Sequence, residues 1–212
     1  MTRRSVSVLG IPTLPAPPGK SEFHVKGVVY AGIFSRLAQE PEAAAKLRAE
    51  LADPELHRFY DQLFLASGWY DVFPIVPLIA ALARVRSISF DVAAAEGARI
   101  RVTEDLNSIY RSVLRGTRPD EVAKRLTRGF SRYLDFGRAE VTSSSAGAIE
   151  ISTSEMPTFL LPWYMPVAGT FFRVALESAG ARDVRVSWRA PEDDGRRRDI
   201  LLSRVHVALT WR

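Results

Sequence analysis

The chain of 212 residues contains no cysteine. That excludes a disulfide framework, thiolate catalysis and any cysteine-based metal site, and it fits a reducing compartment. Histidine is nearly as scarce. His24, His57 and His206 are the whole set, with no HExxH and no pair four residues apart, so no zinc-type ligand set is written locally. The phosphate cradles GxGxxG and GxxxxGK[ST] and the nucleophile elbow GxSxG are also missing. Nucleotide binding and serine hydrolysis therefore have no sequence support.

Lysine is rare, 4 against 25 arginines, and the excess of arginine and alanine reads as the bias of a GC-rich genome. A nucleic-acid binder clusters its basic residues. Here they are scattered, and the one tight run, Arg196-Arg197-Arg198, sits beside Glu192, Asp193 and Asp194. This neighbourhood is almost neutral and reads as a solvated hairpin tip, so no nucleic-acid partner is expected. Long hydrophobic runs are lacking as well. The longest, Val72 to Ala83, is too short to span a bilayer and carries Pro74 and Pro77. Arg3 and Arg4 do not open an export signal, because Pro12, Pro15, Pro17 and Pro18 break the stretch behind them. The chain reads as a soluble cytoplasmic protein without a membrane span.

The composition that remains, 47% hydrophobic and 25% charged, supports a buried core in one domain. Residues 1–20 end in IPTLPAPPGK, a proline density that predicts an extended arm; a single α+β domain is expected over 21–212. Lys26 to Gln39 places Val29, Ile33, Phe34 and Leu37 on one stripe of a helix. Pro41 opens a second helix. Asp53-Pro54 opens a third, which carries Leu56, Phe59, Tyr60, Leu63 and Phe64 and is expected to stop at Gly68. The segment WYDVFPIVPLIAALA, apolar nearly all round, belongs in the centre of the fold. Residues 88–115 read as one long helix or two joined near Gly97, with Leu106, Ile109, Tyr110, Val113 and Leu114 on one face. Thr117 to Asp120 resembles a capping box, ahead of a helix with Val122, Leu126, Phe130, Tyr133 and Leu134 that Gly137 closes.

Beyond Gly137 the period becomes two. AEVTSSSAGAIEIS predicts two short strands or one bulged strand. Val184, Val186 and Trp188 alternate with polar residues, as do Leu201, Val205, Val207, Leu209 and Trp211, with Ser203 interrupting the inner side. EDDGRRRD reads as the hairpin connection. PVAGTFFRVALESA, from Pro166 to Ala179, is a helix between strands, with Val167, Phe171, Val174, Ala175 and Ser178 on one face. The expected class is α+β: an N-terminal helical layer packed on a C-terminal antiparallel sheet, with one helix inserted between strands.

MPTFLLPWYMP, residues 156–166, holds three prolines and reads as an apolar loop, not a regular helix. Trp163 and Tyr164 in it plug the core, line a pocket mouth or contact a partner. Tyr70, Trp163, Tyr164 and Phe171 are the candidate ligand-binding residues. No catalytic constellation and no metal set are assigned, and no cofactor is named. His57, beside Phe59, Tyr60 and Phe64, has the setting of an axial haem ligand or of a hydrogen-bonded surface histidine. His206 falls on the outer face of its strand.

VKGVVYAGIF, AGTFFRVALESAGA, DVRVSW and a last strand ending in Trp211 together resemble a paralogous domain family of unknown function expanded in myxobacteria, over Val25 to Trp211. More distantly, the strand–helix–strand–strand order is similar to vinyl-reductase-type and haem-NO-binding α+β domains. That likeness implies a helical layer closing a small-ligand pocket over an antiparallel sheet, in relatives that bind tetrapyrroles, lipids or partner subunits. No proximal-histidine motif carries over residue by residue. Two functions follow as expectations. One is a non-catalytic ligand-binding or sensor domain with an apolar pocket between helices and sheet. The other is an interaction module docking a protein partner, a second copy included, through 156–166 and the N-terminal arm.

Overall fold

Prolines stand at the first or second position of four of the helices described here, where the backbone has no intrahelical acceptor for an N–H. In the computed structural model, which describes residues 13–108 and 118–212, these are Pro41, Pro54, Pro119 and Pro162. The chain forms two compact units that divide at Ala93/Ala94. The domain expected over 21–212 contains both.

The first unit holds α1 (Val28–Leu37), α2 (Pro41–Glu50), α3 (Pro54–Tyr60) and α4 (Ile75–Arg86), with a two-stranded sheet of β1 (His24–Lys26) and β2 (Trp69–Asp71). The strands pair antiparallel, with Val25 opposite Tyr70. Asp53 caps α3 as expected, its carboxylate accepting from the Glu55 amide at 2.8 Å. The helix ends at Tyr60, not at Gly68. The backbone of 63–68 bonds to the Tyr70 hydroxyl and to the free amides before and at the start of α1 instead of continuing the helix. α4 is buried on nearly every side, as its composition requires. Tyr30, whose ring stacks on Phe64 at 4.6 Å, is fully buried.

Of the arm, residues 13–20 are described. The Asp71 carboxylate ties down the end of that stretch: Oδ2 accepts from the Gly19 and Ser21 amides at 2.8 and 3.2 Å, and Oδ1 accepts from Ser21 Oγ at 2.6 Å and the Phe73 amide at 3.0 Å.

α5 (Phe90–Ser108) runs unbroken through Gly97. Ile109, Tyr110, Val113, Leu114 and Thr117 lie outside the described residues. In the second unit, α6 (Pro119–Tyr133) leads to β3 (Arg138–Ser145) and β4 (Ala148–Pro157). Arg118 is the N-cap of α6 and makes no side-chain cap bond, and the Asp120 carboxylate accepts from the Gly147 amide. β3 and β4 are the two strands foreseen, with a bulge at Val141/Ser143. α7 (Leu161–Ser178) precedes β5 (Arg185–Trp188), β6 (Glu192–Arg197) and β7 (Ile200–Thr210). All pairings are antiparallel, in the order β3-β4-β7-β5 with β6 also on β7. α6 packs on β3 and α7, and α7 on β5. The fold is α+β with one long helix between strands.

Three expectations are corrected. Residues 156–166 are not a loop: β4 ends at Pro157, a single 3-10 turn spans Thr158–Leu160, and α7 begins at Leu161. Pro162 falls where a missing N–H leaves nothing unsatisfied, so only Pro166 sits in the helix interior. Together, Thr158–Ser178 is long and apolar enough to cross a membrane, and half of it is buried in the fold. Secondly, EDDGRR is strand β6, and the connection is the tight turn at Arg198, whose φ is 51°. Ion pairs from Arg204 to Asp194 at 3.0 Å and from Arg197 to Glu155 at 2.6 Å hold this polar edge strand in place. Thirdly, Leu201 is exposed, while Leu202 and Ser203 are buried beside the β4 bulge between Thr153 and Met156.

Candidate functional site

The inner face of the sheet is set by register. Ile149 faces Leu209, Ile151 faces Val207 and Thr153 faces Val205 across β4 and β7, and all six are buried. Alternation puts Glu150, Ser152, His206 and Ala208 on the opposite face. α7 lies close to β5: a Cβ on Gly169 would come 3.4 Å from Val186 Cγ1 and 3.6 Å from Trp188 Nε1.

Tyr164 is the centre of this seam. Its ring meets Phe130 of α6 edge-on at 5.9 Å and Trp188 of β5 at 6.1 Å. Its hydroxyl shares a 3.2 Å hydrogen bond with Thr153 Oγ1. Burial pushes the Tyr164 hydroxyl up to about 12, the Thr153 bond pulling the other way. At neutral pH it is a proton-bearing donor and not a base. Phe171, seven residues on, falls on the same side of the helix and meets Tyr133 edge-on at 6.5 Å. Trp163 is buried, one step round the helix. A second polar pair, Thr158 Oγ1 with Ser203 Oγ at 2.8 Å, explains the polar break noted in β7.

Three of the four candidate residues, Trp163, Tyr164 and Phe171, thus share α7. Tyr70 belongs to the first unit. There its hydroxyl accepts from the Leu65 amide at 2.8 Å and donates to the Leu63 carbonyl at 3.3 Å, and its ring meets Phe64 edge-on at 4.8 Å. Thr153 had escaped notice, and Trp188 had been read only as an alternating strand position. The one signal for Thr153 is that it continues the inward positions of Ile149 and Ile151 with a hydroxyl.

The histidines do not converge. His57 Nε2 is taken by the Leu51 carbonyl. His206 Nε2 lies 3.6 Å from Glu192 on the outer sheet face. His24 is in β1 and is likewise not free. Among the described residues no group of three His, Asp or Glu side chains is placed to hold a metal ion.

No family model matches the chain, and no curated protein matches it. Solved structures do. The Fe(II) unliganded H-NOX protein from K. algicida superposes with a TM-score of 0.62 at 13% identity, covering 88% of this chain and 96% of that one. A point mutant of T. Tengcongensis H-NOX gives 0.57 at 13% identity, with 88% and 97% covered. An oxygen-binding H-NOX domain related to soluble guanylate cyclases gives 0.53 at 13%, with 88% and 92% covered. The chain has the H-NOX-like fold.

Proposed function

We propose that this protein is a non-catalytic ligand-binding or sensor domain that uses the H-NOX-like scaffold for an apolar small molecule. Its pocket lies in the second unit, where α7 meets the sheet, with Trp163, Tyr164 and Phe171 as its walls and the Tyr164–Thr153 hydroxyl pair as its polar tether. The observation that carries the reading is the match in fold along nearly the whole length of oxygen- and iron-holding H-NOX domains. The site chemistry agrees: aromatic walls with a few convergent polar groups suit a small-molecule site, and a tyrosine held protonated binds without transferring protons. Kinship with the myxobacterial paralogous family belongs to the same proposal.

Haem held by histidine or cysteine does not fit. A haem iron needs an axial donor from the protein, most often a histidine nitrogen or a cysteine thiolate. The chain has no cysteine, and each histidine is engaged as described; the hydroxyls of Tyr30, Tyr60, Tyr70 and Tyr164 are hydrogen-bonded as well. The alternative of docking through 156–166 draws less support, because Pro162 is the only exposed residue there.

The test is an organic extract of the purified protein analysed by mass spectrometry, with an absorption scan before and after incubation with hemin. A co-purifying apolar molecule that is lost in Tyr164→Ala, with no Soret band, supports the reading. Protein that carries nothing and takes up no apolar probe such as a naphthalene-sulfonate dye overturns it, and a stoichiometric Soret band overturns the exclusion of haem.

A further inference from the structure

Residues 61–68 join α3 to β2, and Trp69 opens that strand. Leu63 and Leu65 are the two most exposed large apolar side chains among the described residues, 81% and 58% open to solvent, and Trp69 is 41% open. The backbone beneath them is fixed. The Leu65 amide and Leu63 carbonyl are both held by the Tyr70 hydroxyl. The carbonyls of Ala66 and Gly68 accept from the Val28 and Gly27 amides at 3.1 and 2.8 Å, and Gly68 donates to Leu65 O at 2.9 Å. Glycine is required on both sides: a Cβ on Gly27 would lie 2.0 Å from the Leu65 carbonyl oxygen, and one on Gly68 2.7 Å from the Tyr70 ring.

A segment this ordered holds three large apolar side chains out to water, which does nothing for the stability of the unit that carries them. We propose that this loop is a docking element for a lipid surface, independent of the pocket in the second unit. Area decides against a second copy: a stable interface buries about 800 Å² per partner, more than three side chains supply. A bilayer needs no matching surface. Leucines entering the acyl boundary, a tryptophan at headgroup level and a lysine reaching back to water form an interfacial set. Lys26 Nζ stands 4.2 Å from the Trp69 ring centroid. The one acid of the loop, Asp61, is neutralised by two bonds from Arg48 at 2.8 and 3.3 Å. The net charge of +5 favours an anionic leaflet.

The test uses the full chain and vesicles of phosphatidylcholine alone or mixed with phosphatidylglycerol, read by co-sedimentation. Wild type is expected to pellet with the mixed vesicles. Leu63→Asp with Leu65→Asp is expected to lower partitioning about tenfold or more, and Lys26→Glu to weaken binding to the anionic vesicles only. Far-UV dichroism checks that the double variant folds. Wild-type quenching by brominated lipid that Trp69→Phe removes gives the same answer without it. Wild type left in the supernatant with both vesicle types overturns the proposal, as does a folded double variant that pellets equally. Light scattering without vesicles provides the last arm: a dimer that the double variant converts to monomer would assign the loop to a second copy and overturn the lipid reading.

Discussion

Tyr164 of α7 and Thr153 of β4 share a 3.2 Å hydrogen bond between two buried hydroxyls. Removing one partner strands the other, and a buried unsatisfied hydroxyl costs about 1–3 kcal/mol. Thr153→Val, close in shape, is expected to destabilise by that amount in urea unfolding. Tyr164→Phe leaves the smaller Thr153 hydroxyl behind and should cost about 1 kcal/mol. The double variant should lose clearly less than the sum, because neither hydroxyl is then left alone.

The same residue makes alkaline stability pH-dependent. The Tyr164 hydroxyl titrates at about 12 when folded, against the ordinary 10, because burial disfavours the phenolate. Between those values the folded chain binds more protons than the unfolded one, so unfolding becomes easier as pH rises through that window. The stabilisation is fully present below pH 10 and shrinks by on the order of 2–3 kcal/mol toward pH 12. Tyr30 and Tyr60, raised well above 10 chiefly by burial, act in the same direction. Denaturant midpoints of Tyr164→Phe taken from pH 9 to pH 11.5 should fall less steeply than those of wild type; parallel curves would contradict the assignment.

Asp71 gathers four donors, three of them from Gly19 and Ser21. Asp71→Ala leaves the buried Phe73 amide and the half-buried Ser21 amide without this acceptor and should destabilise by about 1–3 kcal/mol, the cost of an unsatisfied buried donor. Asp71→Asn keeps some acceptor capacity and should lose less. Limited proteolysis provides a local readout: cleavage near Lys20 should accelerate in Asp71→Ala under conditions where the body of the protein stays intact.

What could be read from residue order and what could not follows the range of the forces involved. Pro41, Asp53-Pro54 and the period-two segments after Gly137 are local signals, and the helices and strands they announced are present. EDDGRR has poor strand propensity, and its pairing with β7 rests on Asp194 and Arg197 reaching Arg204 and Glu155, partners distant in sequence. The prolines of 156–166 looked like breakers because their position relative to the helix start was unknown; one residue of register separates a harmless Pro162 from a disruptive one. Trp163, Tyr164 and Phe171 were legible as apolar anchors. That Phe130, Tyr133 and Trp188 meet two of those rings depends on tertiary packing that no local pattern carries. Tyr70 stood out only as a candidate ligand-binding aromatic, whereas its hydroxyl, which bonds the backbone of Leu63 and Leu65, had no local signature.

Gly27 and Gly97 separate two meanings of the same residue. A Cβ at Gly27 would sit 2.0 Å from the Leu65 carbonyl oxygen and 2.6 Å from the Tyr70 ring. The carbonyl belongs to a hydrogen-bonded backbone, so neither side can yield cheaply. Gly27→Ala should destabilise by about 3 kcal/mol or more, in the upper part of the range for single substitutions, and should loosen the 61–68 loop that rests on it. At Gly97, inside α5, a Cβ meets nothing within 4 Å. Gly97→Ala there removes backbone freedom from the unfolded chain and should stabilise by about 0.5–1 kcal/mol. Thermal unfolding of the two variants beside wild type checks both signs, and a Gly27→Ala protein that melts with wild type would mean that the loop is not packed on the start of α1 as described.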